Sequence, residues 1–201
     1  MMSNIFLREY FMAQQIIDND SLIEALFEIF RSHGYEGTTI SLLSEVTGLQ
    51  KSSLYHRFPA GKADMAKAVV NYVSSQLHKH VFEPLLDSKE MPETRFSNMI
   101  STIKTFYEDG RKNCLLNVLN LGKANAEIKA LQNNDYNAWL AALNKLGKEV
   151  GMSQQNAEAW SERFLIIVEG ALVIQRLTSA MQTFEKQMEF EQQQFFQQCR
   201  K

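Results

Sequence analysis

An all-α chain of about nine helices is what the sequence predicts. Three observations carry that reading. Apolar residues recur at helical spacing, as in Ile23, Leu26, Phe27 and Phe30 at i, i+3, i+4 and i+7. Neither strand-type alternation nor an internal repeat is visible along the 201 residues. Only three prolines and nine glycines punctuate the chain, so long helices can run unbroken.

The first helix is expected over about residues 20–33. Ser21-Leu22-Ile23-Glu24 has the form of a capping box, in which serine and glutamate each satisfy a free backbone donor. Gly34 stands where a left-handed C-terminal cap belongs. Thr38-Thr39 can cap a second helix, with Ile40, Leu43 and Val46 as its buried stripe and Gly48 at its end. A short third helix follows over about residues 50–57, held by Leu49, Leu54 and Phe58; Pro59 stops it, since the residue before proline avoids the helical region. The fourth helix starts near Lys62, carries Met65, Val69, Tyr72, Val73 and Leu77, and is expected to end before Pro84. After the polar connection "LLDSKEMPET", Pro92 or Glu93 opens a helix with Phe96, Met99, Ile103 and Phe106, ended by Asp109-Gly110. Further helices are expected around residues 114–120, 124–148, 154–179 and 184–198, with Met152-Ser153 in the break between the two long ones.

Formal net charge is −2, so any nucleic-acid role must rest on a local basic patch. One exists. No acid occurs from Val46 to Ala63, while Lys51, His56, Arg57 and Lys62 fall within that span. The second and third helices are joined by a very short glycine-containing turn, the sequence shape of a helix-turn-helix. Gly48 supplies the tight corner and Leu49 locks it to the core. Gln50, Lys51, Ser52, Ser53, Tyr55 and His56 give the third helix a polar, cationic outer face, as a helix entering the major groove requires. An ordinary helical corner with a solvated basic face has the same spacing.

The stretch "TTISLLSEVTGLQKSSLYHRFPAGKADM", with Phe27, Phe30, Gly34 and Tyr35 before it, resembles the DNA-binding signature of the TetR/AcrR family of bacterial transcription regulators over about residues 21–72. Phe58-Pro59-Ala60-Gly61-Lys62 and "NCLLNVLNLG" are similar to its LmrA/YxaF-like branch. The resemblance implies an N-terminal helix-turn-helix domain, a larger helical domain enclosing a small-molecule pocket, and a homodimer formed by the last two long helices. It places Thr39 on a phosphate and Gln50, Lys51, Ser52 and Ser53 at base edges, with Lys51 suited to guanine and Gln50 to adenine. Tyr55 and His56 would hold phosphates, which fix register without reading sequence. Lys62 opens the fourth helix, where its charge and the free amides both favour a phosphate. Arg57 can instead turn toward the fourth helix. The sequence departs from the family at Ser44 and Thr47, where alanine is frequent, and at Gln50, where serine caps better.

The expected organisation is an extension (1–19), a helix-turn-helix DNA-binding domain (20–66) and a helical effector-binding and dimerisation domain (67–201). Within the last, Met99, Phe106, Cys114 and Trp139 are the candidates for pocket lining, and the aromatic content suggests a small apolar or aromatic effector. Ile167, Gly170, Ala171 and Ile174 are the candidates for the dimer face, with Glu169 and Arg176 at its rim.

Other chemistry fails on inspection. Gly61-Lys62 would need glycine at His56 and a hydroxyl residue at Ala63 to end a phosphate-binding loop. His78 and His80, two apart on a helix, point to different sides. Cys114 and Cys199, the only cysteines, offer neither a zinc pair nor a disulfide framework and read as reduced thiols. No catalytic, metal or cofactor constellation is visible, so a non-enzyme is expected. "MMSNIFLREYF" lacks the features of a signal peptide, and Glu169 cuts the apolar run 164–168 far short of the about 20 residues of a membrane span. A cytoplasmic protein without a membrane partner is expected. The leading function is a ligand-responsive repressor on a pseudo-palindromic double-stranded DNA operator. The alternatives are a family member that activates, or a helical protein-interaction module that never meets DNA.

Overall fold

The computed structural model describes residues 17–120, 126–180 and 182–200. Most of the expected N-terminal extension, and the expected start of the long helix at 124, lie outside them. All regular structure among the described residues is helical.

Helix α1 spans Asn19–Gly37. Its cap is Asp18, whose carboxylate accepts from the Ser21 backbone amide at 2.9 Å and from the Ser21 hydroxyl at 2.6 Å. The expected capping box does not form, because Ser21 already lies inside the first turn. The expected break at Gly34 appears as a kink within the helix, with φ +67° and ψ −177°. Thr38 closes this end by donating its hydroxyl to the Gly34 carbonyl at 2.7 Å.

Helix α2, Ile40–Thr47, is capped by the Thr39 hydroxyl, which accepts from the Leu42 amide at 3.2 Å. It is only two turns long, and its buried contacts fall on Leu43 and Thr47, one turn apart. Ile40 is half-buried and Val46 is 54% exposed, so the expected stripe narrows to Leu43. Gly48 turns the chain in the left-handed region, φ +69° and ψ 2°. Helix α3, Lys51–Arg57, follows without a side-chain cap from Gln50.

Helix α4, Lys62–Leu77, does not end before Pro84. It widens into a π-helical turn, His78–Phe82, and continues as α5, Glu83–Leu86. The wider turn lets the Glu83 amide reach the His78 carbonyl. Pro84, which lacks an amide and in a regular α-helix would crowd the carbonyl four residues back, thus sits just past this turn, in the first turn of α5.

Helix α6, Pro92–Phe106, leads into a tight turn in which Glu108, Asp109 and Gly110 all have positive φ. Helices α7 (Leu115–Asn120), α8 (Ala126–Glu149), α9 (Gln154–Thr178) and α10 (Thr183–Cys199) complete the described fold. Two cores form. The first gathers α1 to α4 with Leu115, Val118 and Leu119 of α7 and Ile128 of α8. The second lies among α6, α8, α9 and α10, around Phe96, Trp160, Phe164 and Phe195. Helix α4 serves the first core and its π-helical continuation serves the second, so a single rod links the two.

Candidate nucleic-acid interface

The outer surface of α3 is set by what its inner surface buries. Leu54 is fully buried, and Leu49 and Phe58 fix the two ends of the helix to the first core. This leaves Lys51, Ser52, Tyr55, His56 and Arg57 exposed, Ser53 half-buried, and Gln50 and Thr39 exposed beside them.

Hydrogen bonds and packing join this surface to its neighbours. The Lys51 ammonium donates to the Ser41 hydroxyl of α2 at 2.9 Å. It keeps two further N–H donors. The Tyr55 ring, 48% exposed, lies over Gly61. A Cβ there would stand 3.1 Å from the ring, and the backbone has φ +64° and ψ −130°. Only glycine suits both constraints. The Thr39 hydroxyl spends its acceptor on the α2 cap and still has a proton to donate.

Two cations sit differently from expectation. The Lys62 ammonium folds back onto α1, donating to the Tyr35 carbonyl at 2.8 Å and lying 4.4 Å from the centre of the Tyr35 ring. The Asp64 carboxylate accepts from the Ala60 amide at 2.7 Å, so the turn entering α4 already answers one of its free donors. Arg57 turns toward the start of the described chain, not toward α4, with its guanidinium 3.3 and 3.4 Å from the Ile17 carbonyl.

Behind this surface lies a cleft of about 630 Å³. Its walls come from α1 (Glu24, Phe27, Glu28), α4 and the π-turn (Tyr72, Leu77, His80), α6 (Ile103, Phe106) and α8 (Trp139). Phe106 and Trp139 therefore stand where the pocket was expected. Met99 and Cys114 are not among the lining residues. Met99 is buried, its sulfur accepting from the Trp139 indole nitrogen at 3.4 Å. Cys114 is enclosed between Tyr107 and Glu169, and burial pushes its thiol up to about 12, which keeps it protonated and unreactive.

Sequence reasoning missed Arg31. Its side chain leaves α1 and enters the turn after α6, donating to the Phe106 carbonyl at 2.6 Å and the Asn113 carbonyl at 2.8 Å. The guanidinium lies 4.9 to 5.7 Å from the ring centres of Phe27, Phe106 and Tyr107. Asn113 returns a bond to the Arg31 carbonyl at 3.1 Å, and Lys112 pairs with Glu28 at 2.6 Å. The signal in the sequence was an arginine four residues after Phe27, on the apolar side of α1.

Along α9, Ile166, Gly170, Ile174 and Leu177 form an exposed apolar stripe. Beyond its chain neighbours and its own helix backbone, no atom of the described residues lies within 4 Å of a Cβ placed on Gly170. Of the expected dimer residues, Gly170 and Ile174 belong to this stripe. Ile167 is half-buried, and Ala171 packs into the protomer's own core. Glu169 turns inward, and Arg176 bonds Asn113 within the chain, so neither stands free at a rim. Among the described residues, no cluster of three or more His, Cys, Asp or Glu side chains could hold a metal ion, and no helix is long and apolar enough to cross a membrane.

A two-turn helix, a left-handed glycine and a short cationic helix braced by a three-sided core define a helix-turn-helix protein. Residues 22–69 match the family model for bacterial regulatory proteins of the tetR family. The chain is 27% identical over 73 residues to the HTH-type transcriptional regulator YxaF of Bacillus subtilis, a match covering 36% of this chain and 38% of that protein. It is 22% identical over 165 residues to LmrA, another HTH-type transcriptional regulator of that organism, covering 77% of this chain and 84% of the relative. A TetR transcriptional regulator from Legionella pneumophila shares the fold with a TM-score of 0.77 at 17% identity, over 90% of this chain and 98% of that one. A TetR protein from Rhodobacter sphaeroides gives 0.74 at 20% identity, over 87% and 96%. Residues 22–69 therefore match the DNA-binding domain of the tetR family, and the described chain shares its fold with solved TetR regulators.

Proposed function

We propose that this chain is a cytoplasmic, homodimeric repressor that holds a pseudo-palindromic operator and releases it when a small molecule with an aromatic or apolar body binds. The observation that carries the reading is the shared wall of the large cleft: α1 of the DNA-binding core lines it together with α4, α6 and α8. An occupant touches both halves of the protein at once.

On DNA, Lys51 and Gln50 read base edges with Ser52 and Ser53 beside them, while Thr39, Tyr55 and His56 hold phosphates. Lys62 joins them by exchanging the Tyr35 carbonyl for a phosphate. Two α3 helices enter successive major grooves roughly 34–36 Å apart, with the α9 stripe and α10 as the dimer face. A ligand that prefers another packing of Phe106 against Phe27 shifts the population away from that spacing. The shift reaches α1 through Arg31 and reaches α3 through the α4 rod.

The test is an electrophoretic shift on the DNA upstream of the chain's own gene, followed by footprinting. A protected two-fold symmetric site supports the reading. Absence of any sequence-preferring complex contradicts it.

A further inference from the structure

A second cavity, of about 270 Å³, adjoins the large cleft and shares Leu77 and Trp139 with it. Its lining is mostly apolar, yet it holds two carboxylates from different helices, Asp135 of α8 and Glu169 of α9, together with the rings of Tyr136 and Trp139. Among the described residues, no lysine or arginine lines either cavity.

The two carboxylates are unequally satisfied. Asp135 is 3% exposed; it accepts from the Ser74 hydroxyl at 2.6 Å and lies 3.8 Å from the His78 Nε2. Glu169 bonds the side chains of Cys114 and Asn117, but its Oε2 is buried and, among the described residues, has no hydrogen-bond partner. Burial raises both carboxyls above their ordinary range. A buried carboxylate oxygen with no donor is a costly arrangement that a folded protein keeps only for a reason. An acid-bearing, aromatic-walled cavity whose described lining holds no lysine or arginine suits a cation, with His78 beside Asp135 and Arg176 near Glu169 as the neighbouring basic groups.

We propose that this cavity is an organic-cation site, in which the protonated amine of the effector donates to Glu169 Oε2, with Asp135 as the second anion and Trp139 against the ligand's apolar body. The proposal deepens the repressor reading by naming a ligand class, and depends on that reading only for the effect on DNA. The smaller cavity accommodates the ammonium and one ring; a longer ligand passes Trp139 into the large cleft.

The experiment is calorimetric titration of the full chain at pH 7 with aralkyl ammonium ions, from phenethylammonium to tryptammonium, each against its neutral alcohol. At least one ammonium ion is expected to bind one per chain, tenfold or more tighter than its alcohol. Glu169→Gln is expected to cut that preference below threefold while leaving the alcohol's affinity unchanged, and Asp135→Asn to reduce it in part. Glu162→Gln, on the exposed side of α9, keeps it. Equal binding of ion and alcohol, binding of neither, or a preference that survives both Glu169→Gln and Asp135→Asn overturns the site. Retention of an operator duplex is measured in parallel. Ammonium binding that leaves DNA held upholds the site and contradicts the effector reading; DNA binding without ammonium binding overturns the site alone.

Discussion

Single residues at the proposed DNA surface divide into those assigned a DNA contact and those that shape the surface around them. Gly61 is of the second kind, since its positive φ and its contact with the Tyr55 ring both exclude a side chain. Gly61→Ala is expected to cost about 1–3 kcal/mol, the usual range for a residue forced into sparsely populated backbone space. It should also displace Tyr55 and weaken operator binding; urea unfolding and fluorescence anisotropy measure the two effects. Lys51 and Lys62 separate by role. Lys51→Ala should lower affinity for the specific site by about 1–3 kcal/mol and relax preference at one base pair. Lys62→Ala should weaken binding to all sequences and flatten the salt dependence by about one unit. Because Lys62 rests on Tyr35 in the free protein, its substitution should also lower thermal stability, which Lys51→Ala should not.

Glu169 gives a residue-scale prediction with a sign. Burial lifts its carboxyl above the ordinary value of 4.5, so the folded chain holds the proton more tightly than the unfolded one. The associated stability is present below that value and is lost as pH rises through the folded one. At pH 7 Glu169→Gln should therefore stabilise the free protein. About 1 kcal/mol would move the melting temperature by roughly 2–4 °C in a chain of this size. The advantage should shrink toward pH 4.5, and thermal melts of both proteins across pH check it.

At the scale of elements, the helices were legible because amphipathic spacing and glycine breaks act locally. Gly48, Leu49, Leu54 and Phe58 each answer one requirement of the turn, so α3 and its exposed face could be read from sequence. What depends on register was not legible. Pro84 reads as a stop, yet the π-turn at His78–Phe82 carries the rod past it. Ser21-x-x-Glu24 fits one capping pattern and Asp18-x-x-Ser21 fits another; only the bond made by Asp18 decides between them. The cavities were half legible for a related reason. Phe106 and Met99 have the same apolar character and both lie on α6, but one faces the cleft and the other the second core. Arg31 couples α1 to the turn after α6, and its binding to two carbonyls gives an element-scale prediction. Arg31→Gln should cost about 2–3 kcal/mol by removing charge-assisted hydrogen bonds. It should also reduce the ligand-induced change in DNA affinity more than DNA affinity itself, as titrations with and without ligand would show.

At the scale of the whole molecule, the proposed repressor acts as two copies. The stripe of Ile166, Gly170, Ile174 and Leu177, with Leu177 76% exposed, needs cover that the described residues do not provide. Leu177→Glu should shift the mass measured by light scattering at micromolar concentration toward the monomer, and should abolish cooperative binding to a full operator while leaving the helical circular dichroism signal unchanged.

The central claim is that α3 and its flanks form a DNA-reading surface presented twice by a symmetric dimer. The most direct measurement is selection of bound duplexes from a random pool by the full chain, followed by affinity measurements on the winning sequence with Tyr55→Ala and Lys62→Ala proteins. The expected result is a two-fold symmetric consensus whose half-sites lie about one helical turn or a multiple apart, and at least tenfold weaker binding by each variant. An unenriched pool, or a consensus bound equally well by both variants, would contradict it.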